Sequence, residues 1–322
     1  MNEFELIERY FARAPRHPDV RVGIGDDAAV VAPTPGMEYA ISVDMLVAGR
    51  HFAVDADPER LGHKALAVNL SDLAAMGARP RFALLAGALP AADPGWLSAF
   101  MRGFDALAAC YDVELIGGDT TSGPRVLCVT VIGEVPSGQA IRRAGAKAGD
   151  VVYVSGALGD AALALAAQAG RVTLDLETMR AVEARLDLPQ PRVALGEALR
   201  GVASAALDVS DGLTGDLRHI LDASRVGAVI DVAAVPVREA LRLRLAGSDR
   251  ELALSCMLGG GDDYELCFTA DASMRSRIDA IADALALPLT PIGTITAERG
   301  LVVRDERGNA LEHLPQAFDH FA

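Results

Sequence analysis

The sequence is poor in the residues that build disulfide frameworks and most metal centres. Its 322 residues include four cysteines and six histidines. The cysteines stand far apart without a Cys-X-X-Cys pair, and the histidines form no His-X-X-X-His pair. These spacings argue against a disulfide framework, a thiolate zinc site and a histidine-built metal centre. We expect reduced thiols in a cytoplasmic protein, and metal chemistry, if any, from oxygen ligands.

Basic residues and long apolar runs are also scarce. The 30 Lys and Arg are outnumbered by 44 Asp and Glu, which gives a formal net charge of −14. Because affinity for nucleic acid depends on clustered basic residues, this balance argues against a nucleic-acid partner. Apolar stretches are interrupted well before the ~18 residues of a membrane span, and the N-terminal residues do not have the pattern of a secretory signal. We therefore expect no association with a membrane.

The chain length and its hydrophobic pattern predict two domains. A length of 322 residues corresponds to about two domains of roughly 150 residues. Apolar β-like runs alternate with amphipathic helical runs, which indicates an α/β or α+β chain. Turn-forming residues concentrate in 136–149, so we predict an N-terminal domain over 1–140 and a C-terminal domain over 141–322.

The same pattern predicts individual helices and strands. Helices are predicted over residues 3–14, 58–76, 94–109, 212–224 and 274–285. Strands are predicted over residues 28–32, 38–43, 81–88, 114–116, 126–135, 151–155, 205–207, 228–232, 265–269 and 289–295.

Acidic residues recur beside small residues where apolar runs end. One such motif alone is typical of an Asx-turn or a helix N-cap. Asp72 is different, because it lies inside an apolar helical pattern where an unpaired buried carboxylate is costly. The six motifs are Gly25-Asp26-Asp27, Ser42-Val43-Asp44, Leu70-Ser71-Asp72, Gly117-Gly118-Asp119, Asp208-Val209-Ser210-Asp211-Gly212 and Gly260-Gly261-Asp262-Asp263.

Carboxylates at several strand ends can converge on one rim, where a cation must neutralise their repulsion. Oxygen ligands suit a hard ion, and Mg²⁺ held by a few carboxylates and substrate phosphates is usual in phosphoryl transfer. A structural Ca²⁺ is the second candidate, but the EF-hand loop pattern is absent. The sequence also lacks the Walker, dinucleotide-binding and protein-kinase signatures. A nucleotide bound by this chain must therefore depend on metal ions and backbone groups.

The motifs together resemble the thiamine-monophosphate kinase family, and the resemblance covers essentially the whole chain. A weaker similarity extends to the superfamily of aminoimidazole ribonucleotide synthetase and selenophosphate synthetase. The matching segments are Gly23-Ile24-Gly25-Asp26-Asp27, Ile41-Ser42-Val43-Asp44, His51-Phe52, the block from Lys64 to Gly77, Gly117-Gly118-Asp119-Thr120-Thr121, Asp208-Val209-Ser210-Asp211-Gly212-Leu213 and Asp263-Tyr264-Glu265-Leu266.

The resemblance implies a two-domain ATP-binding fold. Its N-terminal α/β domain carries strands that pair across a homodimer, and an α+β domain follows. It further implies that the ATP γ-phosphoryl group is transferred to thiamine monophosphate, which gives thiamine diphosphate and ADP. Such a transfer needs positioning and charge neutralisation, so we expect direct in-line attack with several Mg²⁺ ions and no phosphoenzyme.

The resemblance also assigns roles by motif position. The implied catalytic residues are Asp44, Asp72, Asp119 and Arg143. The implied Mg²⁺ ligands are Asp27, Ser42, the Val43 carbonyl, Asp44, Asp72, Asp119, Asp208 and Asp211. The implied ATP contacts are Gly118, Asp119, Arg143 and Ser210, and the implied contacts to thiamine monophosphate are His51, Asp262 and Phe318.

Two positions depart from the family pattern. Asp262 stands where the family usually has Glu, so the carboxylate that would contact the substrate is one methylene shorter. Val43 replaces the usual Thr at a position where only the backbone is implied in metal binding.

Other functions stay open at this stage. Selenophosphate synthetase chemistry is disfavoured, because the first cysteine is Cys110 and that chemistry wants a reactive cysteine near the N-terminus. An aminoimidazole ribonucleotide synthetase-like enzyme is disfavoured by the 69–77 and 261–265 blocks. A non-catalytic protein that binds nucleotide or metal is the remaining alternative.

Overall fold

The computed structural model describes residues 3–318, with the side chains of residues 3 and 4 left out. The chain divides into two compact units. The first comprises the described residues up to Leu73 together with Ala78–Gly138. The second comprises Ala74–Gly77 and the described residues from Gln139 onward.

The first unit combines helices with a mixed sheet. Its elements are α1 (Glu3–Leu6), a π-helical turn (Ile7–Phe11), β1 (Val20–Val22), β2 (Val30–Val31), β3 (Met37–Val47), α2 (Pro58–Ala75), β4 (Arg79–Leu89), α3 (Pro94–Cys110), β5 (Glu114–Ser122) and β6 (Val126–Pro136).

The main sheet of this unit has the strand order β3-β6-β4-β5. β6 is antiparallel to both of its neighbours, whereas β4 and β5 are parallel. Successive side chains of a strand point to opposite faces, so Ser42 and Asp44 share one face of β3. On the other face Ile41, Val43 and Met45 are 65%, 57% and 56% exposed. This unit therefore displays an apolar strand face to solvent.

The second unit is built around a larger sheet. Its elements are β7 (Val151–Ser155), α4 (Asp160–Gln168), α5 (Leu176–Asp187), α6 (Val193–Leu199), β8 (Ala205–Asp208), α7 (Leu213–Ser224), β9 (Gly227–Asp231), a 3-10 turn (Val232–Ala234), α8 (Glu239–Leu245), α9 (Arg250–Gly259), β10 (Leu266–Ala270), a second 3-10 turn (Ala272–Met274), α10 (Arg275–Leu285), β11 (Leu289–Thr296) and β12 (Gly300–Arg304).

Six strands form this sheet in the order β12-β9-β11-β7-β10-β8. β8 and β10 are antiparallel, with Asp208 opposite Leu266. The end of β8 and the start of β10 therefore lie side by side at the same end of the sheet. α7 follows β8 and is amphipathic, because Leu213, Leu217 and Leu221 recur at helical spacing and are buried. The segments before β10 and after β8 are thus brought side by side.

Several elements differ from the sequence-based expectation. The helix predicted over 3–14 ends at Phe11, with its last turn in π geometry. The strand predicted over 114–116 continues to Ser122, because its Gly and Thr residues pair with β4 instead of forming a turn. Helices α4, α5, α6, α8 and α9 were not predicted. In α4, six of nine residues are buried, so its pattern lacks the polar face that marks an amphipathic helix.

Across residues 3–318, no helix has both the length and the apolar character needed to cross a membrane.

Candidate active site

Two predicted metal ligands of the first unit are in direct contact. The Ser42 hydroxyl on β3 donates a hydrogen bond to a carboxylate oxygen of Asp72 on α2, at 2.5 Å. The fully buried Asn69, also on α2, accepts the Asp44 backbone N–H at 2.9 Å and donates to Ala65 O at 3.0 Å. Asn69 thereby ties the strand to the helix. The two elements bring Ser42, Asp44 and Asp72 to one place.

His51 lies in the loop that follows β3. Its ring Nδ1 accepts the Val47 backbone N–H at 3.0 Å, and the backbone N–H of His51 donates to Val47 O at 2.9 Å. Since a backbone N–H can only donate, Nδ1 carries no proton and the neutral ring is protonated at Nε2. The loop therefore fixes both the tautomer and the direction of the His51 ring.

A second group of predicted residues lies at the other edge of the sheet, on β5. A small cavity of about 40 Å³ is lined by Ile24 together with Gly118 and Asp119. The Gly25-Asp26-Asp27 motif follows Ile24 directly, and the Asp26 carboxylate accepts the Asp27 backbone N–H at 2.9 Å. The N-terminal aspartate motif therefore begins directly after Ile24, which lines the same cavity as Gly118 and Asp119.

Gly118 is required by its surroundings. Its φ is +154°, and a Cβ atom there would lie 1.9 Å from the carbonyl oxygen of Leu85 on β4. Any side chain would therefore force the parallel strands apart. The close approach explains why a glycine stands beside Asp119.

The sheet keeps these two groups apart. β6 and β4 lie between β3 and β5, so Asp44 and Asp119 sit on strands separated by three spacings of about 4.8 Å, or roughly 14 Å. The first unit therefore presents Ser42, Asp44 and Asp72 as one group and Gly118 and Asp119 as another. It does not bring all its predicted ligands into mutual contact.

In the second unit, one buried carboxylate holds the turn between β8 and α7. Asp216 is 5% exposed, and burial raises its pKa to about 7 despite the opposing effect of its hydrogen bonds. One of its carboxylate oxygens accepts three consecutive backbone N–H groups, each at 3.0 Å: those of Ser210, Asp211 and Gly212.

The carbonyl groups of this 208–212 turn are also engaged. Because the N–H groups of Ser210, Asp211 and Gly212 are bound to Asp216, the turn offers a ligand oxygen atoms and not N–H groups. Oxygen donors suit a cation, whereas a Walker loop binds phosphate through its backbone N–H groups. Three carbonyl oxygens accept backbone N–H groups from two other segments: Val209 from Tyr264 at 2.8 Å, Ser210 from Asp262 at 2.8 Å and Asp211 from Phe318 at 3.0 Å.

Arg143 belongs to the same unit and is held there through its backbone. Its carbonyl accepts the Ser224 hydroxyl at 3.2 Å, and the Arg142 carbonyl accepts the Ala206 N–H at 3.1 Å. The Arg143 side chain itself is exposed. The Arg142-Arg143 segment thus runs beside β8, the strand that leads to Asp208.

Glu265 belongs to the acidic 260–265 segment but faces inward. It is fully buried, and its carboxylate accepts hydrogen bonds from Arg192 Nε at 2.6 Å and from the Ser155 hydroxyl at 2.5 Å. Arg185 adds an ion pair at 3.1 Å. Glu265 is therefore a structural anchor, which leaves Asp262 as the better candidate for contact with a ligand.

Asp263 is anchored as well, and it gives a pH-dependent prediction. Both of its carboxylate oxygens lie 2.9 Å from the Gly159 backbone N, and burial raises its pKa well above the usual range. As pH rises above about 4, the unfolded chain ionises this group while the folded chain keeps the proton, so stability is lost. Asp263→Asn removes the titration and is expected to raise the melting temperature by a few degrees at pH 8.

The measurement is a pair of melting curves at each pH from 4 to 8. The difference between Asp263→Asn and the native protein should grow with pH, because other titrating groups are common to both. Asp271→Asn is the matched control, since Asp271 is an exposed carboxylate whose pKa is lowered by its bonds to Ser273. A constant difference between Asp263→Asn and the native protein would contradict the assignment.

The donors are compatible with Mg²⁺, which prefers oxygen. Ser42 and Asp72 bring a hydroxyl and a carboxylate together, and the 208–212 turn presents carboxylates while its amides point at Asp216. Within residues 3–318, no three His, Cys, Asp or Glu side chains are already grouped to hold a metal ion. Mg²⁺ usually takes only one or two carboxylates and completes its shell with water and substrate phosphates, so such a group is not required.

The fold and the chain's motifs match known proteins. The AIR synthase related protein N-terminal domain matches residues 25–135, and the AIR synthase related protein C-terminal domain matches residues 147–306. The chain therefore has the two-domain fold of the AIR synthase related proteins. The predicted class of mixed helices and sheets is confirmed.

Individual relatives narrow the class. The chain is 46% identical to thiamine-monophosphate kinase of Salmonella typhimurium, over 99% of this chain and 98% of that protein. It resembles the crystal structure of thiamine-monophosphate kinase from Stenotrophomonas maltophilia K279a, with a TM-score of 0.87 and 48% identity over 96% and 98% of the two chains. The structure of AaThiL complexed with AMPPCP and TMP has a TM-score of 0.78 and 28% identity over 90% and 89%. The chain belongs to the thiamine-monophosphate kinase family, which confirms the sequence resemblance.

Three residues of the site were missed by sequence reasoning. Asn69 and Tyr264 lie within motifs that match the family, but those motifs imply no role for either residue. Asp216 was hidden in the first turn of a predicted helix. The available signal was its position five residues after Asp211, since an acidic residue in a first helical turn often binds preceding N–H groups.

Proposed function

We propose that this protein phosphorylates thiamine monophosphate with ATP to give thiamine diphosphate and ADP. The observation that carries the proposal is the bonding around the 208–212 turn. There a candidate ATP contact, Ser210, is hydrogen-bonded through its backbone to Asp262, a candidate acceptor contact. Family membership and the relative named as a complex with AMPPCP and TMP support the same reaction.

The chemistry requires positioning more than a strong base. The acceptor phosphate has a second pKa near ~6 and is largely ionised at neutral pH, so it can attack directly in line with the leaving group. Two polyanions must then be held together against their repulsion. We propose that Arg143 contributes positive charge, and that Gly118, Asp119 and Ser210 contact the nucleotide.

The proposed Mg²⁺ ions would neutralise charge on the phosphates. The carboxylates hold the ions, and the Val43 carbonyl contributes through the backbone while its side chain points to solvent. The residues proposed to hold them are Asp27, Ser42, Val43, Asp44, Asp72, Asp119, Asp208 and Asp211.

The acceptor contacts fit different parts of thiamine monophosphate. A carboxylate repels a phosphate and attracts a thiazolium cation or an amine, so Asp262 suits the rings. Phe318 is 44% exposed and offers an aromatic surface for stacking. His51, with a proton on Nε2, can donate to a phosphate oxygen. We propose that these three residues contact the acceptor.

The direct test is product analysis. The purified protein is incubated with Mg-ATP and thiamine, thiamine monophosphate or no acceptor, and products are separated chromatographically. Thiamine diphosphate and ADP in equal amounts, formed only with the monophosphate, are the expected result. ADP formed equally in all three mixtures, or ATP binding without any product, would overturn the proposal in favour of another substrate or a non-catalytic role.

We propose that the protein is a homodimer formed through the first unit, and that the N-terminal domain carries both Mg-ATP binding and dimerisation. Ile41, Val43 and Met45 form an exposed apolar face on β3. β3 is a long edge strand, and exposed edges of this kind are usually covered. A second copy of the same chain would bury this face symmetrically. The C-terminal domain would complete the nucleotide and substrate sites.

Ile41→Glu tests the dimer. A charge on the apolar face costs several kcal/mol once buried, so the dimer dissociation constant is expected to rise at least about 100-fold. Sedimentation at micromolar concentration measures it. Leu176→Glu is the matched control, because Leu176 is 67% exposed in the second unit. A monomeric native protein, or an Ile41→Glu variant that stays as dimeric as the control, would contradict the proposal.

We also propose that the protein works in the cytoplasm. All four cysteines are free thiols. Burial raises the pKa of the Cys256 thiol to about 11, which keeps it protonated and unreactive. Free thiols support a reducing compartment.

A further inference from the structure

The side chain of Asp262 is fixed by a neighbour two residues further along. The Tyr264 hydroxyl donates a hydrogen bond to Oδ1 of Asp262 at 3.0 Å. Tyr264 is only 8% exposed, so packing restricts its ring. A carboxylate offers about four acceptor positions, and the Tyr264 bond occupies one of them and orients the group.

The backbone around this pair is unusual. Asp262 and Tyr264 both have positive φ, at +67° and +50°, a region that non-glycine residues rarely adopt. Strain of this kind persists only where the surroundings impose it. Here the N–H of Asp262 bonds to Ser210 O and that of Tyr264 to Val209 O, both at 2.8 Å. The pair is therefore held at both its backbone and its side chains.

The neighbouring residues reinforce this arrangement. At Gly261, a Cβ atom would lie 2.2 Å from Ser210 O, so only glycine lets the segment approach the 208–212 turn so closely. Asp263, between Asp262 and Tyr264, is bound to the Gly159 N–H. The segment is locked from both ends, and its one candidate ligand group is the carboxylate that Tyr264 binds.

We propose that Tyr264 is a positioning residue that sets the Asp262 carboxylate for recognition of the acceptor substrate. This inference rests on the proposed function, in which Asp262 contacts thiamine monophosphate. The short Asp262 side chain makes the hydroxyl important. It has one fewer rotatable bond than a Glu side chain, so the hydrogen bond from Tyr264 strongly restricts where its oxygens point.

Tyr264→Phe removes only the hydroxyl. The KM for thiamine monophosphate is expected to rise about tenfold, in line with loss of a hydrogen bond to a charged group. The KM for ATP and kcat should stay within about twofold, because the lost interaction is made equally in the ground and transition states. Steady-state kinetics with each substrate varied in turn give the three values.

Tyr153→Phe is the matched control. Tyr153 is 1% exposed in the same unit, stacks on Phe268 at 5.1 Å between ring centroids, and makes its side-chain hydrogen bond with Arg275. Its variant should have native KM values. Equal KM changes in both tyrosine variants, or a Tyr264→Phe variant that raises the KM for ATP as much as that for the acceptor, would overturn the inference.

A double-mutant cycle tests whether Tyr264 acts through Asp262. Asp262→Ala removes the acceptor of the Tyr264 hydroxyl and alone is expected to raise the acceptor KM, and adding Tyr264→Phe should then raise it by less than threefold more. Fully additive effects would overturn the inference. The activity of the native protein distinguishes failure of the proposed function from failure of this inference. If the native protein forms no thiamine diphosphate, the proposed function is wrong. If the native protein is active and Tyr264→Phe is unaffected, only the positioning role of Tyr264 is wrong.

Discussion

Asp72→Asn is expected to lower kcat by at least about 100-fold while the protein keeps its fold. Metal-assisted charge stabilisation is worth several kcal/mol in the transition state, and each 1.36 kcal/mol is tenfold in rate. Asn has nearly the shape of Asp and its amide oxygen can still accept the hydrogen bond that Ser42 donates. What is lost is the negative charge that a cation needs.

Two measurements separate a metal role from a structural one. The first is product formation from Mg-ATP and thiamine monophosphate. The second is the rise in melting temperature that Mg²⁺ with ATP produces through preferential binding to the folded state. Asp72→Asn should reduce both, while its melting temperature without ligand stays near the native value.

Asp105→Asn is the matched control. Asp105 also lies in the first unit, on α3, where it pairs with Arg13 at 2.5 Å in a partly exposed position. Exposed pairs contribute at most about 1 kcal/mol, so this variant should show native turnover and a native response to Mg²⁺. If Asp72→Asn turns over and responds to Mg²⁺ as this control does, the proposed metal site is wrong.

Much of the fold could be predicted because its elements carry local signals. The helix predicted over 58–76 is Pro58–Ala75, and the strand predicted over 151–155 is Val151–Ser155. Proline at the start of the helix and a continuous apolar run in the strand provide those signals. Such signals depend only on residues close in sequence.

Other elements depend on partners far along the chain. Residues 117–122 are rich in Gly and Thr and become a strand only because β4 pairs with them in parallel. The inward direction of Glu265 follows from Arg185, Arg192 and Ser155, between 73 and 110 residues away. No local pattern distinguishes it from Asp262, which lies in the same acidic segment.

In the candidate site too, some features can be predicted from local sequence and others depend on partners far along the chain. Motif resemblance named the side chains proposed to touch ligand, and those assignments stay predictions. It could not name the residues that hold them, because Asn69 and Asp216 act through backbone groups of other residues. Backbone hydrogen bonds leave no sequence motif of their own. Only the folded arrangement reveals them.

Asp216→Ala is expected to destabilise the second unit and to weaken nucleotide binding. The variant leaves three N–H groups without their acceptor, that of Gly212 buried and those of Ser210 and Asp211 half-buried. A buried group left without its partner costs about 1–3 kcal/mol, and a half-buried one costs less because water can reach it. Removal of a desolvated carboxylate offsets part of this cost, so we expect a net loss of about 3 kcal/mol. For a unit of this size, that lowers the melting temperature by roughly 6–12 °C.

The loss of binding follows from the geometry of the turn. Without Asp216, the N–H groups of Ser210 and Asp211 bond to water instead, and the backbone that carries both side chains is held by fewer hydrogen bonds and becomes more mobile. Affinity for Mg-ATP, measured by equilibrium titration below the melting temperature, should fall more than about tenfold. This effect is separable from stability, because binding is measured on the folded protein.

Asp216→Asn and Asp222→Ala complete the experiment. Asn keeps one acceptor oxygen at the same place, so it should restore most of the affinity. Asp222→Ala removes an exposed carboxylate from the same helix, α7, and should bind as the native protein does. Partial rescue by Asn would show that the acceptor oxygen is what the turn requires, since a charge requirement alone would leave Asn as defective as Ala. Native affinity in Asp216→Ala would mean that the bonds to Asp262, Tyr264 and Phe318 suffice to hold the turn.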